Sequence, residues 1–272
     1  MTSVNVHANM KKYIVAPIII ALIINCRAEN MNNILFDNGE FDFFDLTHSY
    51  NVNKESLSYL IRDDAWYDEE SDTCKNERYS TRLDVRFIFS SQGYFADAIP
   101  TTKLILPLNN FVSVIIADIS DQVNGKGDFV LHPRHLDFML NNYFNRLNQP
   151  CLIIFKFGWS KYYNSNLQRY YGNGNYTSYP GLSEELAKLI TTSYKNIVGL
   201  GVDLPSADTS SIQAFPATDV LFKAGLYVLT NVKLDDALPE AKCTGLVMPL
   251  KVKRGIGAPI RLLAICPKVQ GH

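Results

Sequence analysis

The sequence predicts a mixed α/β fold. Three observations carry this. Short, nearly unbroken apolar runs rich in β-branched residues occur at Phe111–Ile119, Cys151–Phe157 and Ile197–Val202, as buried strands require. Helix-patterned segments stand between and after them. The C-terminal part offers two strand candidates around a glycine turn, an antiparallel pattern.

Taken in order, residues 29–40 are polar and Asn-rich, an extended lead-in, and Phe41–Thr47 is a strand candidate. Asn53–Glu77 is charged, with Asp63, Asp64, Asp68, Glu69, Glu70 and Asp72; it lacks the regular spacing of a calcium loop, so a solvated helix and loop is expected. Leu83, Val85, Phe87 and Phe89 alternate with polar or basic partners, the period of a half-buried strand. Pro133–Asn145 places Leu136, Met139, Leu140 and Phe144 on one helical stripe. Ser183 before Glu184 and Glu185 is an N-cap followed by acidic first-turn residues, opening a helix to Tyr194. Ala217–Ala224 reads as a helix and Leu226–Leu229 as a strand. Leu246–Lys253 and Ile260–Ile265 are closing strands joined at Gly255-Ile256-Gly257.

At the N-terminus, Lys11 and Lys12 precede an apolar run from Tyr13 to Asn25, and Cys26 and Ala28 stand at the spacing of a cleavage site. This is the pattern of a secretory leader over residues 1–28. The run falls short of the roughly 20 apolar residues a membrane span needs. The expectation is a secreted, extracellular chain with its domain over 41–272 and no membrane attachment after cleavage. Cys74, Cys151, Cys243 and Cys266 then remain in an oxidising compartment, with three pairings open. Cys151 opens an apolar run and is expected to be buried. Cys74, in a polar stretch, is the better disulfide candidate. Asn175-Tyr176-Thr177 is a glycosylation sequon, marking Asn175.

The formal net charge is -1, and no basic run follows the leader, so nucleic acid is not an expected partner. No glycine-rich phosphate loop, Cys-x-x-Cys zinc motif or Gly-x-Ser-x-Gly elbow occurs.

Six collinear segments resemble the metal-dependent cyclase and kynurenine-formamidase-like family, which includes isatin hydrolase. They are Asp45-Leu46-Thr47-His48; Phe157-Gly158-Trp159-Ser160-Lys161-Tyr162; Tyr179-Pro180-Gly181-Leu182-Ser183; Val198 to Asp208; Val247-Met248-Pro249-Leu250-Lys251; and Gly257-Ala258-Pro259-Ile260-Arg261. The resemblance implies a single β/β/α domain around a small barrel-like mixed sheet, and homodimers or higher oligomers. It also implies a zinc or manganese site on a His-x-Gly-Thr-His-x-Asp-x-Pro-x-His segment, with a His and a Glu further on.

Here the matching segment runs from Ser91 to Thr101. Gly93 and Asp97 hold the pattern, while Ser91, Phe95 and Thr101 stand where the family has His. Thr218 and Thr230 stand at the later His and Glu positions. A catalytic zinc needs three protein ligands to hold the ion and lower the pKa of its water, and one carboxylate does not supply them. The expectation is no metal cofactor and no catalytic residue, and a protein that acts by ligand binding or by structural or partner interaction. The alternative is a residual arylformamidase-type hydrolase, cleaving an amide or ester around Asp97, as in tryptophan–kynurenine catabolism.

Trp159, Tyr162, Tyr163, Tyr170 and Tyr171, with Tyr94 and Phe95, are the candidate lining of a pocket for a small aromatic ligand. The competing reading has Phe95 filling the former site. His132 and His135 are expected at an exposed helix start rather than on a metal. His48 is expected to be a hydrogen-bonded structural ring. Asp203 and Asp208 are expected to brace backbone around the loop after Val202.

Overall fold

A computed structural model describes residues 41–49, 80–85, 112–136, 150–172, 178–212, 214–235, 238, 243–251 and 257–268. Contacts divide the chain into two compact units, Met1–Asp42 with Pro267–His272, and Phe43–Cys266. In the first, the described residues include Asp42 and Lys268, whose charged groups lie 4.0 Å apart. The site lies in the second.

Apart from Phe41, Asp42 and Pro267, that unit holds the strands β1 (Phe41–Asp45), β2 (Arg82–Asp84), β3 (Val112–Asp118), β4 (Val130–Leu131), β5 (Cys151–Lys156), β6 (Gly181–Leu182), β7 (Ile197–Val202), β8 (Tyr227–Thr230), β9 (Cys243–Pro249) and β10 (Gly257–Pro267). Its helices are α1 (Ser120–Val123), α2 (Lys161–Ser165), α3 (Leu167–Tyr171), α4 (Glu184–Ser193) and α5 (Pro216–Lys223). β3, β5, β7 and β8 pair in parallel, β2 is antiparallel to β8, and β9 is antiparallel to β3. β10 pairs with both β2 and β9, which closes the sheet into a ring of seven strands. β1 adds to β10.

Side-chain alternation explains the layers. Val114, Ile116, Leu152, Ile154, Tyr227, Leu229, Leu83, Val247 and Leu262 form one cluster, the filling of the ring. Ile115, Ala117, Ile153, Phe155, Leu200 and Val228 belong to the other, packed with Leu186, Ala187 and Ile190 of α4 and Leu221 and Phe222 of α5. Strands apolar on both faces are therefore buried on both faces, as their continuous runs demand. Gly199 is needed because a Cβ there would run into the Tyr227 ring.

Ser183 caps α4, its Oγ accepting the Leu186 N–H at 3.1 Å. Pro133–Leu136 is a 3-10 turn; the rest of the helix expected to Asn145 lies outside the described residues. Two short helices, α2 and α3, occupy the aromatic segment. Asn166 ends the first and caps the second, accepting the Arg169 N–H at 3.0 Å.

Cys243 and Cys266 form a disulfide across β9 and β10. Cys151 is free and buried, as its apolar run predicts, and burial pushes its thiol up to about 12. Cys74, Asn175 and the acidic stretch lie outside the described residues. Among the described residues no helix is long and apolar enough to cross a membrane.

Candidate functional site

Parallel strands put their carboxyl ends on one side of a sheet, and α/β folds place sites there. The segments following β5, β7 and β8 meet at this end. Asp203 follows β7 directly. Its buried carboxylate accepts the Phe157 N–H at 2.8 Å, the Trp159 N–H at 2.7 Å and the Ser160 N–H at 3.1 Å. One side chain thus fixes the loop after β5. Burial pushes Asp203 up to about 6, against the downward pull of these N–H groups. Gly158 makes the tight loop possible with φ of +71°, and a Cβ there would sit 2.8 Å from the Ser120 side chain.

The loop carries Ser160, whose Oγ accepts the Leu234 N–H at 3.2 Å and lies 3.1 Å from His48 Nε2. His48 is buried and stacks on Tyr163, with ring centroids 3.8 Å apart. Burial holds its pKa down at about 4, so the ring is neutral at pH 7. The His48 N–H donates to Thr81 Oγ1 at 2.8 Å, and that hydroxyl donates to the Asn231 carbonyl at 2.6 Å. Asn231, at φ of +52°, donates through Nδ2 to the Ser80 carbonyl at 2.7 Å and accepts the Tyr170 hydroxyl at 3.0 Å. His48 is therefore the structural ring expected, but its pairing with Ser160 and the Asn231 hub are new. Sequence pattern holds no signal for them, because their contacts join distant loops.

Asp208 accepts the Ala217 N–H at 2.7 Å, the Thr218 N–H at 3.0 Å and the Thr218 hydroxyl. It closes the start of α5, where a negative charge faces the positive helix end. Both aspartates brace backbone, as expected.

Thr218 and Thr230, at the positions where the resemblance puts a metal-binding His and Glu, are both buried. The Thr218 hydroxyl is taken by Asp208, and the Thr230 hydroxyl lies 3.4 Å from Asp84. Neutral hydroxyls already donating to carboxylates do not fit a zinc or manganese ion, which takes imidazole, carboxylate or thiolate ligands. Ser91, Tyr94, Phe95, Asp97 and Thr101 lie outside the described residues. Among the described residues no group of three His, Cys, Asp or Glu could hold a metal.

The aromatic candidates separate by depth. Trp159, Tyr163 and Tyr170 are buried, and Tyr162 and Tyr171 are half-buried against the same core. Trp159 meets Tyr162 edge-on at 5.0 Å, Tyr163 meets Tyr170 at 5.2 Å, and Tyr170 meets Tyr171 at 5.0 Å. Trp159 Nε1 donates to the Tyr170 carbonyl at 3.2 Å. The Arg169 guanidinium covers the Tyr162 ring at 4.2 Å. His135 Nδ1 accepts the His132 N–H at 3.0 Å, and His132 faces Glu185 at 3.5 Å.

A closed mixed barrel with helices packed on its parallel strands, and a site built at the carboxyl ends of those strands, defines the class. Residues 44–209 match the sequence profile of the family described as putative cyclase, and the chain belongs to that family. It is 35% identical over 89 residues to a kynurenine formamidase of Polaromonas naphthalenivorans (strain CJ2), covering 33% of this chain and 39% of that protein. It is 35% identical over 78 residues to an isatin hydrolase of Roseibium aggregatum, covering 27% of this chain and 30% of that protein. The matched segments thus span well under half of these curated relatives. Among solved structures, isatin hydrolase A from Labrenzia aggregata, bound to benzyl benzoate, superposes with a TM-score of 0.67 at 20% identity, covering 89% of this chain and 100% of that one. Isatin hydrolase A from Ralstonia solanacearum gives 0.65 at 17% identity, covering 97% and 100%. At these identities the likeness is one of fold.

Proposed function

We propose that this chain is a secreted, non-hydrolytic member of the cyclase family that acts by binding or assembly. The single observation that carries the reading is the state of Thr218 and Thr230. Each stands at a position where the resemblance puts a metal ligand, and each offers only a hydroxyl engaged by a neighbouring carboxylate. The residues at 91, 95 and 101 extend the same substitution to the other ligand segment. The Cys243–Cys266 disulfide supports an oxidising compartment, in line with the leader pattern of residues 1–28 and the sequon at Asn175. The buried, mutually packed Trp159, Tyr163 and Tyr170 support a structural role for the aromatic segment. Assembly as a homodimer belongs to the same proposal and rests on the resemblance.

The rival is a residual amide or ester hydrolase, favoured by the relatives' names, kynurenine formamidase and isatin hydrolase. Metal analysis of the purified mature protein, with an N-formylkynurenine hydrolysis assay, decides between them. The expected result is no stoichiometric zinc or manganese and no hydrolysis. Bound metal at one per chain, with hydrolysis abolished by a chelator, overturns the proposal. Installing Ser91→His, Phe95→His, Thr101→His, Thr218→His and Thr230→Glu together is expected to restore metal binding.

A further inference from the structure

A cleft of about 360 Å³ opens beside β1 and the start of β10, a size suited to a small organic molecule. Its wall includes Asp45, His48, Ser49, Pro259, Ile260 and Arg261. Three features give it a chemical character.

The first is charge. Arg261 Nε lies 3.1 Å from one Asp45 oxygen, and its Nη2 lies 2.8 Å from the other. The ionised groups of the wall are thus one guanidinium and one carboxylate. Farther back, the charges acting on His48 are again one of each sign, Asp235 and Lys233. A ligand with a single net charge gains little here, whereas one carrying both signs matches both groups. The second is an orphan. His48 is only 2% exposed, and its Nδ1 has no hydrogen-bond partner among the described residues. Ser160 Oγ accepts the Leu234 N–H and lies 3.1 Å from His48 Nε2. In the tautomer in which the serine donates to Nε2, Nδ1 carries the ring proton and is a donor in need of an acceptor. His48 lines the cleft with its Nε2 3.1 Å from Ser160 Oγ and one ring face on Tyr163. The third is the apolar surface of Pro259 and Ile260 in the same wall.

We propose that this cleft binds a small zwitterion of the α-amino-acid type. The ammonium pairs with Asp45. The carboxylate takes the remaining Arg261 N–H groups and the His48 Nδ1–H. The side chain lies on Pro259 and Ile260. This goes beyond the non-hydrolytic reading and does not depend on it, since none of these residues stands at a position where the resemblance puts a metal ligand.

The test titrates the full mature chain with L-phenylalanine, phenethylamine and 3-phenylpropionate, by calorimetry and by the ring nitrogen resonances of His48. Phenylalanine is expected to bind saturably and to move the His48 Nδ1 resonance. Each analogue, lacking one charge, is expected to bind roughly tenfold or more weakly. Arg261→Gln is expected to weaken phenylalanine by about the same factor, with thermal melting unchanged because Arg261 is exposed. Equal binding of the three compounds overturns the assignment. So does phenylalanine binding that Arg261→Gln leaves intact, or the absence of saturation well above about 1 mM.

Discussion

Asp203 and Asp208 lie in the same loop, both buried, and both accept three hydrogen bonds, yet they hold different things. Every donor to Asp203 in that set is a main-chain N–H of the segment Phe157–Ser160. Asp208 uses two main-chain N–H groups and the hydroxyl of Thr218. The difference separates scaffold from site. A carboxylate that binds only backbone holds its loop whatever side chains the loop carries. A carboxylate that binds a side chain is tuned to that side chain, and here the side chain stands at a position where the resemblance puts a metal ligand. The Asp203 end is thus a brace indifferent to the side chains of its loop, and the Asp208 end is matched to the hydroxyl of Thr218.

The largest test of this contrast is Asp203→Ala. It leaves three buried N–H groups without acceptors and is expected to cost on the order of 3–5 kcal/mol of folding stability. Chemical denaturation of the variant measures it. A loss below about 1 kcal/mol would mean that water replaces the carboxylate and that the brace is dispensable.

The next test uses pH, since Asp203 meets a titrating partner through Ser160. For Asp203 the folded pKa is raised from 3.8 to about 6. Its contribution is fully present below the unfolded value and is lost as pH rises to 6, a change of about 3 kcal/mol at most. For His48 the folded pKa is lowered from 6.5 to about 4. Its contribution is present above 6.5 and is lost as pH falls toward 4. The two slopes oppose each other across nearly the same window. Wild-type stability is therefore expected to change little between pH 4 and pH 6.5. Asp203→Asn, which keeps a carbonyl acceptor, is expected to show stability that rises more with pH than the wild type's, because the Asp203 slope that opposed His48 is gone. Parallel profiles for variant and wild type, measured by denaturant melts across this range, would sink the idea.

Much of the scaffold was legible in the chain itself. The buried parallel strands announce themselves as continuous β-branched runs, because burial on both faces removes the polar alternation. Ser183 and its following glutamates mark the start of α4 for the reason the structure shows, an N-cap hydrogen bond. Composition leaves the disulfide pairing open, and the strand register closes it. β9 and β10 pair in a register that places Ile265 opposite Thr244, so the next pair along is Cys266 with Cys243. The site was less legible. Asp203 and Asp208 could be expected to brace backbone, but not which backbone, since their partners lie in other loops. Thr81, Ser160 and Asn231 are ordinary polar residues in sequence, and only the closing of the barrel brings them together.

The smallest expected effect sharpens the contrast from the Asp208 side. Thr218→Val keeps the shape of the side chain and both main-chain bonds to Asp208 while removing one hydroxyl. Asp208 then loses one of its donors, and burial already raises its pKa above the ordinary carboxylate range. The stability loss is expected to be about 1 kcal/mol, since the hydroxyl and its acceptor are both buried. The carboxylate should also become easier to protonate, because a bond favouring its charged form is gone. A carboxyl-carbon NMR titration of Asp208 reads that shift directly. An upward move confined to Asp208, with Asp203 unchanged, is the outcome the comparison requires. If Asp203 moves with it, the two braces are one coupled network, and the separation of scaffold from site fails.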